Sequence, residues 1–378
     1  MYQKMAFSNA AIITTLLFSS HILAQNASFP AGGRVYQGFN SGAQMTNSEA
    51  KTEDDFTKEF QTMQKLAFSP GLFNTARLYT NVQANTISDP LSAFPAAIKT
   101  NTSMLLGIWA SGSDNITNEL DGLSKALDQY GADFANLVIG ISVGSEDLFR
   151  FGSLGQERGA GIGAGPEAIV GFINDTRRAI EGTLLADKPI GHVDTWRAWA
   201  NDSNSAVVDA VDWLGTDIYP FFENDTTLNG GLPNTFANAV PIFQHFYNRT
   251  LNISQGKSVW VTETGWPYEN TGPAWGEAEA SQANMAGYWH NLGCADLFGR
   301  VNTFWYTLKD ADLSAKQKFA ITSEDLSTTP SFNLTCPAGS GAPASINTEE
   351  TASSGADTAM KSGLAVLISA LAFAILFQ

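Results

Sequence analysis

Two glutamates stand at the ends of apolar, strand-like segments and could act together in acid–base and nucleophilic chemistry. Glu146 closes the run ISVGSE at 141–146, and Glu263 lies within the run VWVTETGWP at 259–267. Two carboxyl groups that face one cleft can cleave a glycosidic bond, because one protonates the leaving oxygen while the other attacks the anomeric carbon. The pattern therefore predicts a glycosidase with Glu146 and Glu263 as its catalytic pair. An ion-paired loop residue is the alternative for either glutamate taken alone.

Strand-like segments alternate with helical patterns along the chain, and they would position these side chains. The segment 114–130 repeats Leu and Ala at helical spacing, Pro166 opens another helix, and 277–298 reads as one long helix. The pattern predicts an α/β fold, the (β/α)8 TIM barrel, in which active sites form at the carboxyl ends of the strands; a doubly wound sheet is the alternative. The predicted strands are 35–39, 76–79, 104–109, 137–143, 190–193, 213–219, 259–262 and 302–306.

Charge and composition narrow the classes of ligand. The 378 residues include 21 Lys and Arg against 37 Asp and Glu, a formal net charge of −16. A nucleic-acid backbone would be repelled by this charge, whereas neutral ligands such as sugars are compatible with it. The sequence has no cluster of His, Cys or carboxylates with metal-ligand spacing, so we expect neither a metal nor another cofactor.

The first residues have the pattern of a secretory signal. Residues 1–24 combine Lys4, an apolar stretch and the small residue Ala24 at the expected cleavage position; a short buried helix is the alternative. A secreted chain with two cysteines, Cys294 and Cys336, is expected to join them in a disulfide bond. Secretion is also indicated by Asn-x-Ser/Thr sequons at Asn26, Asn101, Asn115, Asn174, Asn201, Asn224, Asn248, Asn252 and Asn333.

The last residues have the pattern of a GPI-attachment signal. Residues 355–378 end in the apolar run 363–377, which is short for a membrane span and follows small residues and a polar spacer. A retained transmembrane helix is the alternative. We expect the catalytic domain at 25–336, a Ser-, Ala- and Gly-rich linker at 337–354, and removal of 355–378. The mature chain would then be a monomer on the cell surface, anchored by GPI to the plasma membrane and the cell wall.

Two further motifs indicate other chemistry and are less specific. The run GISVG at 140–144 fits the G-x-S-x-G nucleophile elbow, but Ser142 lies inside the strand that leads to Glu146 and not at a strand-to-helix turn. The run GAGIGAG at 159–165 lacks the spacing of a dinucleotide-binding loop and does not follow a strand. We expect it to form a mobile loop on the barrel rim.

The run VWVTETGWP resembles the signature of family 17 glycoside hydrolases, the β-1,3-glucanases of plants and fungi. The resemblance implies that Glu263 is the nucleophile and Glu146 the acid/base of a retaining mechanism on β-1,3-glucan. It also implies that Tyr79, Tyr219 and Trp266 lie in the sugar cleft, with Trp266 beside the nucleophile. Further similar runs occur in order between residues 35 and 310, namely GFN at 38–40, RLY at 77–79, GIW at 107–109 and DIYPFF at 217–222.

Two departures from the family pattern bear on function. Ser145 stands where the family often has Asn before the acid/base, as in the fungal branch that resembles yeast cell-wall glucanases, and it can still donate a hydrogen bond to the sugar. The run WYTLKD at 305–310 matches only loosely. We expect hydrolysis of internal β-1,3 bonds of wall glucan; a glucanosyltransferase and a non-enzymatic glucan-binding wall protein are the alternatives. Two intact glutamates favour an enzyme, whereas hydrolysis and transfer share every catalytic residue.

Overall fold

Eight parallel strands close into a barrel in the order β1 to β8, which confirms the (β/α)8 expectation. The computed structural model describes residues 34–312, 314–343 and 345. The predicted signal segments 1–24 and 355–378 lie outside the described residues. The barrel strands are β1 (Gln37–Ser41), β2 (Thr75–Leu78), β3 (Ser103–Ile108), β4 (Val138–Ser145), β5 (Ile190–Thr195), β6 (Trp213–Asp217), β7 (Ser258–Thr264) and β8 (Thr303–Trp305).

The strands are buried on both faces, which explains why they are apolar runs without polar alternation. Inside the barrel, the rings of Trp213 on β6 and Trp260 on β7 stack with centroids 4.1 Å apart. Gly191 on β5 makes room for this pair, because a Cβ there would lie 2.3 Å from the Trp213 ring. Large side chains thus fill the interior of the barrel, and glycines beside them make room for them. The polar residues lie at the carboxyl end of the barrel.

Helices surround the barrel and bury its outer face. The predicted helix at 114–130 forms as Thr117–Ala135, with a kink at Gly131, and Pro166 does open a helix. Among the described residues, no helix is long and apolar enough to span a membrane. The α-helices are α1 (Glu53–Gln64), α2 (Ala93–Thr100), α3 (Thr117–Ala135), α4 (Asp147–Phe151), α5 (Ser153–Glu157), α6 (Pro166–Ile180), α7 (Trp196–Trp199), α8 (Ser205–Ala210), α9 (Ala239–Ile253) and α10 (Gln282–Tyr288).

The single long helix predicted at 277–298 is wrong at its start and in its second half. The backbone amide of Glu277 instead donates to Asn234 Oδ1 at 3.0 Å, which holds this residue in a loop. The helix begins after Ser281, whose hydroxyl accepts from the amide of Asn284 and caps the first turn. Beyond α10 the chain continues as a π-helix, Trp289–Leu297.

The segment 337–343, part of the predicted Ser-, Ala- and Gly-rich linker, packs against the amino-terminal end of the barrel. The guanidinium of Arg300, before β8, donates to the carbonyl of Ser340. Ser345 forms a β-bridge with Pro70, before β2. Cys294 and Cys336 form a disulfide with Cα atoms 5.4 Å apart, so the chain reaches this face already fixed to the helix before β8. A composition rich in small residues predicts a linker from sequence, but it equally allows close packing on a surface.

Candidate active site

A cleft of about 1710 Å³ opens at the carboxyl ends of the strands and contains both predicted catalytic residues. Glu146 follows β4 and Glu263 lies in β7, so the two carboxyl groups enter the cleft from different sides of the barrel. Tyr79 and Tyr219 also line it, as the family resemblance implies. The barrel therefore brings four of the predicted site residues together.

Glu263 is held by three donors. Arg77 Nη1 lies 2.7 Å from Oε1, and the Tyr79 hydroxyl donates to the same oxygen at 2.6 Å. The Tyr219 hydroxyl donates to Oε2 at 2.8 Å. Burial raises the pKa of both phenols well above 10, so they remain protonated donors at neutral pH. A carboxyl group with fixed hydrogen bonds on both oxygens is oriented for nucleophilic attack.

Arg77 connects the two sides of the site, and the sequence interpretation missed it. Only 1% of its side chain is exposed. Besides Glu263, its guanidinium donates from Nη1 to Asn40 Oδ1 at 2.7 Å and from Nη2 to Ser145 Oγ at 2.9 Å. Ser145 immediately precedes Glu146, and because its oxygen accepts from Arg77, its own proton stays available for a sugar hydroxyl. An arginine inside an apolar strand is the sequence signal that could have revealed this role.

Glu146 is placed by a sharp change of backbone direction. It has a left-handed conformation with φ 56° and separates β4 from α4. About 30% of its side chain is exposed, and Arg150 Nη1 lies 3.7 Å from Oε2. Burial, Glu263 and Asp194 together raise the pKa of Glu146, whereas Arg150 lowers it, and the net result is a pKa above the usual value. A carboxyl group that keeps its proton near neutral pH is suited to protonate a leaving oxygen.

A buried polar cluster under α4 fixes this backbone turn. Asp147 accepts from the Ser145 amide at 2.9 Å, and Asp194 Oδ2 accepts from the Leu148 amide at 2.8 Å. His192 Nε2 lies 3.0 Å from the same Oδ2 of Asp194. Burial lowers the pKa of His192, but Asp194 and Asp147 outweigh this and raise it above its usual value. The charged groups compensate one another while they hold the turn that presents Glu146.

Asp217 is a third carboxyl group at the cleft that the sequence interpretation did not assign. It is the last residue of β6 and pairs in register with Glu263. Oδ1 accepts from Thr262 Oγ1 at 2.6 Å, whereas Oδ2 is buried without a partner among the described residues. Burial and the charge of Glu263 raise its pKa well above the usual value, whereas Arg77 acts in the opposite direction.

Trp266 does not lie in the cleft, contrary to the prediction. Its side chain is 1% exposed, and its Nε1 donates to the carbonyl of Glu279 at 2.9 Å. The ring packs between Phe221 and Phe236 beneath the loops after β6 and β7. The chain turns outward after β7 ends, so a residue three positions beyond Glu263 belongs to the layer behind the site.

The aromatic wall of the cleft is formed by residues from distant loops. Phe222 packs edge-on against Trp275 with centroids 5.1 Å apart, and Phe319 contacts both Tyr219 and Tyr306. All of these side chains line the cleft. On the opposite wall, Trp109 after β3 is 44% exposed, whereas Trp196 after β5 is buried. Flat exposed rings of this kind suit the apolar faces of sugar rings.

A second cavity of about 620 Å³ adjoins the cleft and shares Tyr79 and Tyr306 with it. It lies at the loops after β1 and β8 and is lined by polar groups that include the ion pair of Lys51 and Glu59, with Nζ and Oε2 2.6 Å apart. Neither Glu146 nor Glu263 lines it. The two cavities together provide a polar and aromatic surface on both sides of the nucleophile.

Comparison with known proteins gives matches over most of the chain. Residues 34–323 match the domain family described as the BtgE/BtgC glycoside hydrolase domain. Probable glucan endo-1,3-β-glucosidases of Aspergillus oryzae and Aspergillus fumigatus are each 47% identical, over 84% and 85% of this chain and 66% and 70% of their own length. The chain thus spans about two thirds of these relatives. The crystal structure of a family 17 β-1,3-glucanosyltransferase from Rhizomucor miehei superposes with a TM-score of 0.63 at 21% identity, covering 80% of this chain and 98% of that one.

Proposed function

The chain belongs to the BtgE/BtgC glycoside hydrolase family of the family 17 β-1,3-glucanases, and from this we propose that it is a retaining enzyme that hydrolyses internal β-1,3-glucosidic bonds of cell-wall glucan. Glu263 acts as the nucleophile and Glu146 as the acid/base. The observation that carries the proposal is the arrangement of these two residues in one cleft, connected through Arg77, which contacts Glu263 directly and Ser145 next to Glu146.

In the first step, an oxygen of Glu263 attacks the anomeric carbon and forms a glycosyl ester. Glu146 transfers its proton to the glycosidic oxygen as the bond to the leaving sugar breaks, so the departing chain carries a neutral hydroxyl. The raised pKa of Glu146 keeps this carboxyl group protonated, so that it has a proton to donate in this step. Arg77 and the phenols of Tyr79 and Tyr219 keep the carboxylate of Glu263 in place for attack.

In the second step, Glu146 is a carboxylate and takes a proton from the incoming nucleophile, which attacks the same carbon and releases Glu263. Water as nucleophile gives hydrolysis, and the hydroxyl of a second glucan chain gives transfer. The glucanosyltransferase is the second candidate function, because the cleft extends beyond the carboxyl pair and has room for an acceptor. A purely structural glucan-binding protein would need neither the proton on Glu146 nor the donors on Glu263.

The configuration of the first product tests the assignment. With a purified β-1,3-gluco-oligosaccharide, NMR early in the reaction should detect the β-anomer, and formation of the α-anomer would reject a retaining mechanism. Replacing Glu263 with Ala should remove nearly all activity. The Glu146→Ala variant should retain activity on an aryl glycoside, whose leaving group needs no proton, and azide should accelerate it by attacking the glycosyl-enzyme. Chromatography of the products distinguishes hydrolysis from transfer.

We also propose that the protein is exported, glycosylated and anchored as a monomer by GPI at the plasma membrane and cell wall. The patterns at 1–24 and 355–378 and the sequons support this location. A phosphatidylinositol-specific phospholipase should release the protein from intact cells, and the mature chain should end near Ser353 to Gly355. A mature mass that still includes 364–377 would refute the anchor. Light scattering of the released protein measures its oligomeric state.

A further inference from the structure

We propose that Arg158 and Trp275 form a bridge over one end of the cleft that holds the sugar chain on the aglycone side, the side that carries the leaving group and later the acceptor. The Arg158 guanidinium carbon lies 5.7 Å from the centroid of the Trp275 ring, in a cation–π contact. Both side chains line the cleft. This inference rests on the proposed function and adds to it the residues that recognise the second sugar chain.

The bridge joins loops from opposite sides of the barrel. Arg158 follows α5 in the loop after β4, and Trp275 lies in the loop after β7. The barrel order places β5 and β6 between these two strands. A contact between the two loops therefore spans the intervening part of the rim, and the cleft beneath it becomes partly covered.

On the first side, the glycine-rich segment 159–165 explains how the loop overhangs the cleft. Its end is packed down, because a Cβ at Gly163 would lie 2.2 Å from the carbonyl oxygen of Asp147, and one at Gly165 would lie 2.9 Å from the Phe151 ring. A Cβ at Gly159, by contrast, would meet nothing within 4 Å. The beginning of the segment, next to Arg158, is thus not packed down in this way, and Ala160 lines the cleft.

The side chain of Arg158 has unused hydrogen-bonding capacity. Within the part of the chain that the structure describes, its guanidinium makes no hydrogen bond and no ion pair within 4.0 Å. A guanidinium carries five N–H donors, and in this position they can reach the hydroxyl groups of a sugar. Trp275 supplies an aromatic surface beside them. Donors next to a flat ring are the combination that a neutral saccharide requires.

The position of the bridge identifies the sugar that it contacts. The leaving oxygen is protonated by Glu146, so the aglycone lies beyond Glu146 and away from Glu263. Trp275 packs against Phe222, in the loop after β6, and so lies on the side of the cleft away from β1 and β8. The second cavity lies at the other end, at β1 and β8, beyond Tyr79, which contacts Glu263. The second cavity is thus on the glycone side and the bridge on the aglycone side.

The bridge is weak enough to open. An exposed cation–π contact is a weak interaction, so a long glucan can displace it on entry and be covered afterwards. Covering the aglycone side slows departure of the bound chain and limits access of water to the glycosyl-enzyme. Both effects favour transfer to a sugar hydroxyl over hydrolysis.

The test compares two substrates with the same glycone. One is a β-1,3-gluco-oligosaccharide that extends across the aglycone side, and the other is its 4-nitrophenyl glycoside, which has no sugar there. Arg158→Ala and Trp275→Ala should each lower kcat/KM for the oligosaccharide about tenfold and affect the aryl glycoside much less. The fraction of glycosyl-enzyme captured by an added oligosaccharide acceptor should fall as well. Arg158→Lys keeps a cation over the ring and should restore most of the loss.

Arg34→Ala is the matched control, because Arg34 makes a similar contact with Tyr36, at 5.4 Å, near the amino-terminal end of β1. It should leave the ratio of the two kcat/KM values unchanged. Equal losses on both substrates, or no loss on the oligosaccharide, would overturn the bridge while glucan cleavage by the parent enzyme stands. If the parent enzyme cleaves neither substrate, the proposed function fails, and the bridge fails with it.

Discussion

Arg77 and Glu263 form a buried ion pair, with Nη1 and Oε1 2.7 Å apart and 1% and 12% of the two side chains exposed. Arg77 comes from β2 and Glu263 from β7, which are not neighbours in the barrel. The same guanidinium reaches Ser145 at the end of β4. One planar group with donors in fixed directions therefore sets the position of the nucleophile relative to the residue before the acid/base.

Arg77→Lys should test this positioning. Lysine keeps the positive charge, but a single ammonium cannot reproduce contacts in three directions to Glu263, Asn40 and Ser145. We expect kcat to fall by about 10²–10³, comparable with the loss of one preorganised transition-state contact, with little change in KM. Steady-state kinetics on a β-1,3-gluco-oligosaccharide measure both. Circular dichroism confirms that the variant is folded, and an unchanged kcat in a folded variant would contradict the role.

The alkaline limb of the pH–rate profile should reflect Glu146. The acid acts when it is protonated, so kcat/KM falls as the pH rises through its pKa. Because the pKa of Glu146 is raised, this limb should lie at a pH above 4.5, the usual pKa of a glutamate. Arg150 lowers that pKa, so Arg150→Met should move the limb to still higher pH. With an activated aryl glycoside the first step needs no proton, and the limb should weaken in single-turnover measurements. A shift to lower pH in the Arg150 variant would contradict the assignment.

Trp266→Phe should affect stability and not substrate binding. The indole is buried behind the site, and its Nε1 hydrogen bond to Glu279 would be lost together with some packing. We expect a loss of roughly 1–3 kcal/mol in unfolding free energy and an unchanged KM. Trp275→Phe provides the comparison, because Trp275 lines the cleft and its change should raise KM. If the Trp266→Phe variant has a raised KM at a temperature where the variant is fully folded, Trp266 contacts the substrate and this assignment is wrong.

Removal of the disulfide should lower thermal stability without changing the chemistry. Cys294 and Cys336 are 42 positions apart, and closing such a loop stabilises the fold by about 4 kcal/mol in the chain-entropy model. The double variant Cys294→Ala and Cys336→Ala should unfold at a lower temperature in calorimetry. Its kcat well below that temperature should equal that of the parent. A drop in kcat at low temperature would show that the bond also shapes the cleft.

The sequence was sufficient to place Glu146 and Glu263 in one cleft, because a polar residue at the end of an apolar strand has a single direction in a closed barrel. Tyr79 and Tyr219 were placed there by the resemblance of the runs RLY and DIYPFF to those of the family. Trp266 could not be placed correctly, since it lies three residues beyond Glu263, where the direction of the side chain depends on the loop path and no longer on strand geometry.

Other site residues escaped prediction because their positions depend on contacts between segments far apart in the sequence. Trp275 reaches the cleft only through the fold of the loop after β7, and Arg158 only through the loop after β4. Asp217 belongs to the run DIYPFF, which the sequence analysis identified. That its Oδ2 is buried without a partner among the described residues depends on the packing of the barrel, which the sequence does not show. The helix before β8 changes to π geometry at Trp289, which a periodicity of 3.6 cannot indicate.

If the chain is anchored beyond Ser345 as proposed, the β-bridge between Ser345 and Pro70 would set the direction in which the cleft faces. Pro70 precedes β2, so Ser345 lies at the amino-terminal end of the barrel, whereas the cleft opens at its carboxyl-terminal end. A tether attached beyond Ser345 would hold the molecule at the amino-terminal end of the barrel, with the cleft directed away from the surface to which it is fixed. With the proposed location and substrate, glucan strands could then enter the cleft without passing between the enzyme and its support.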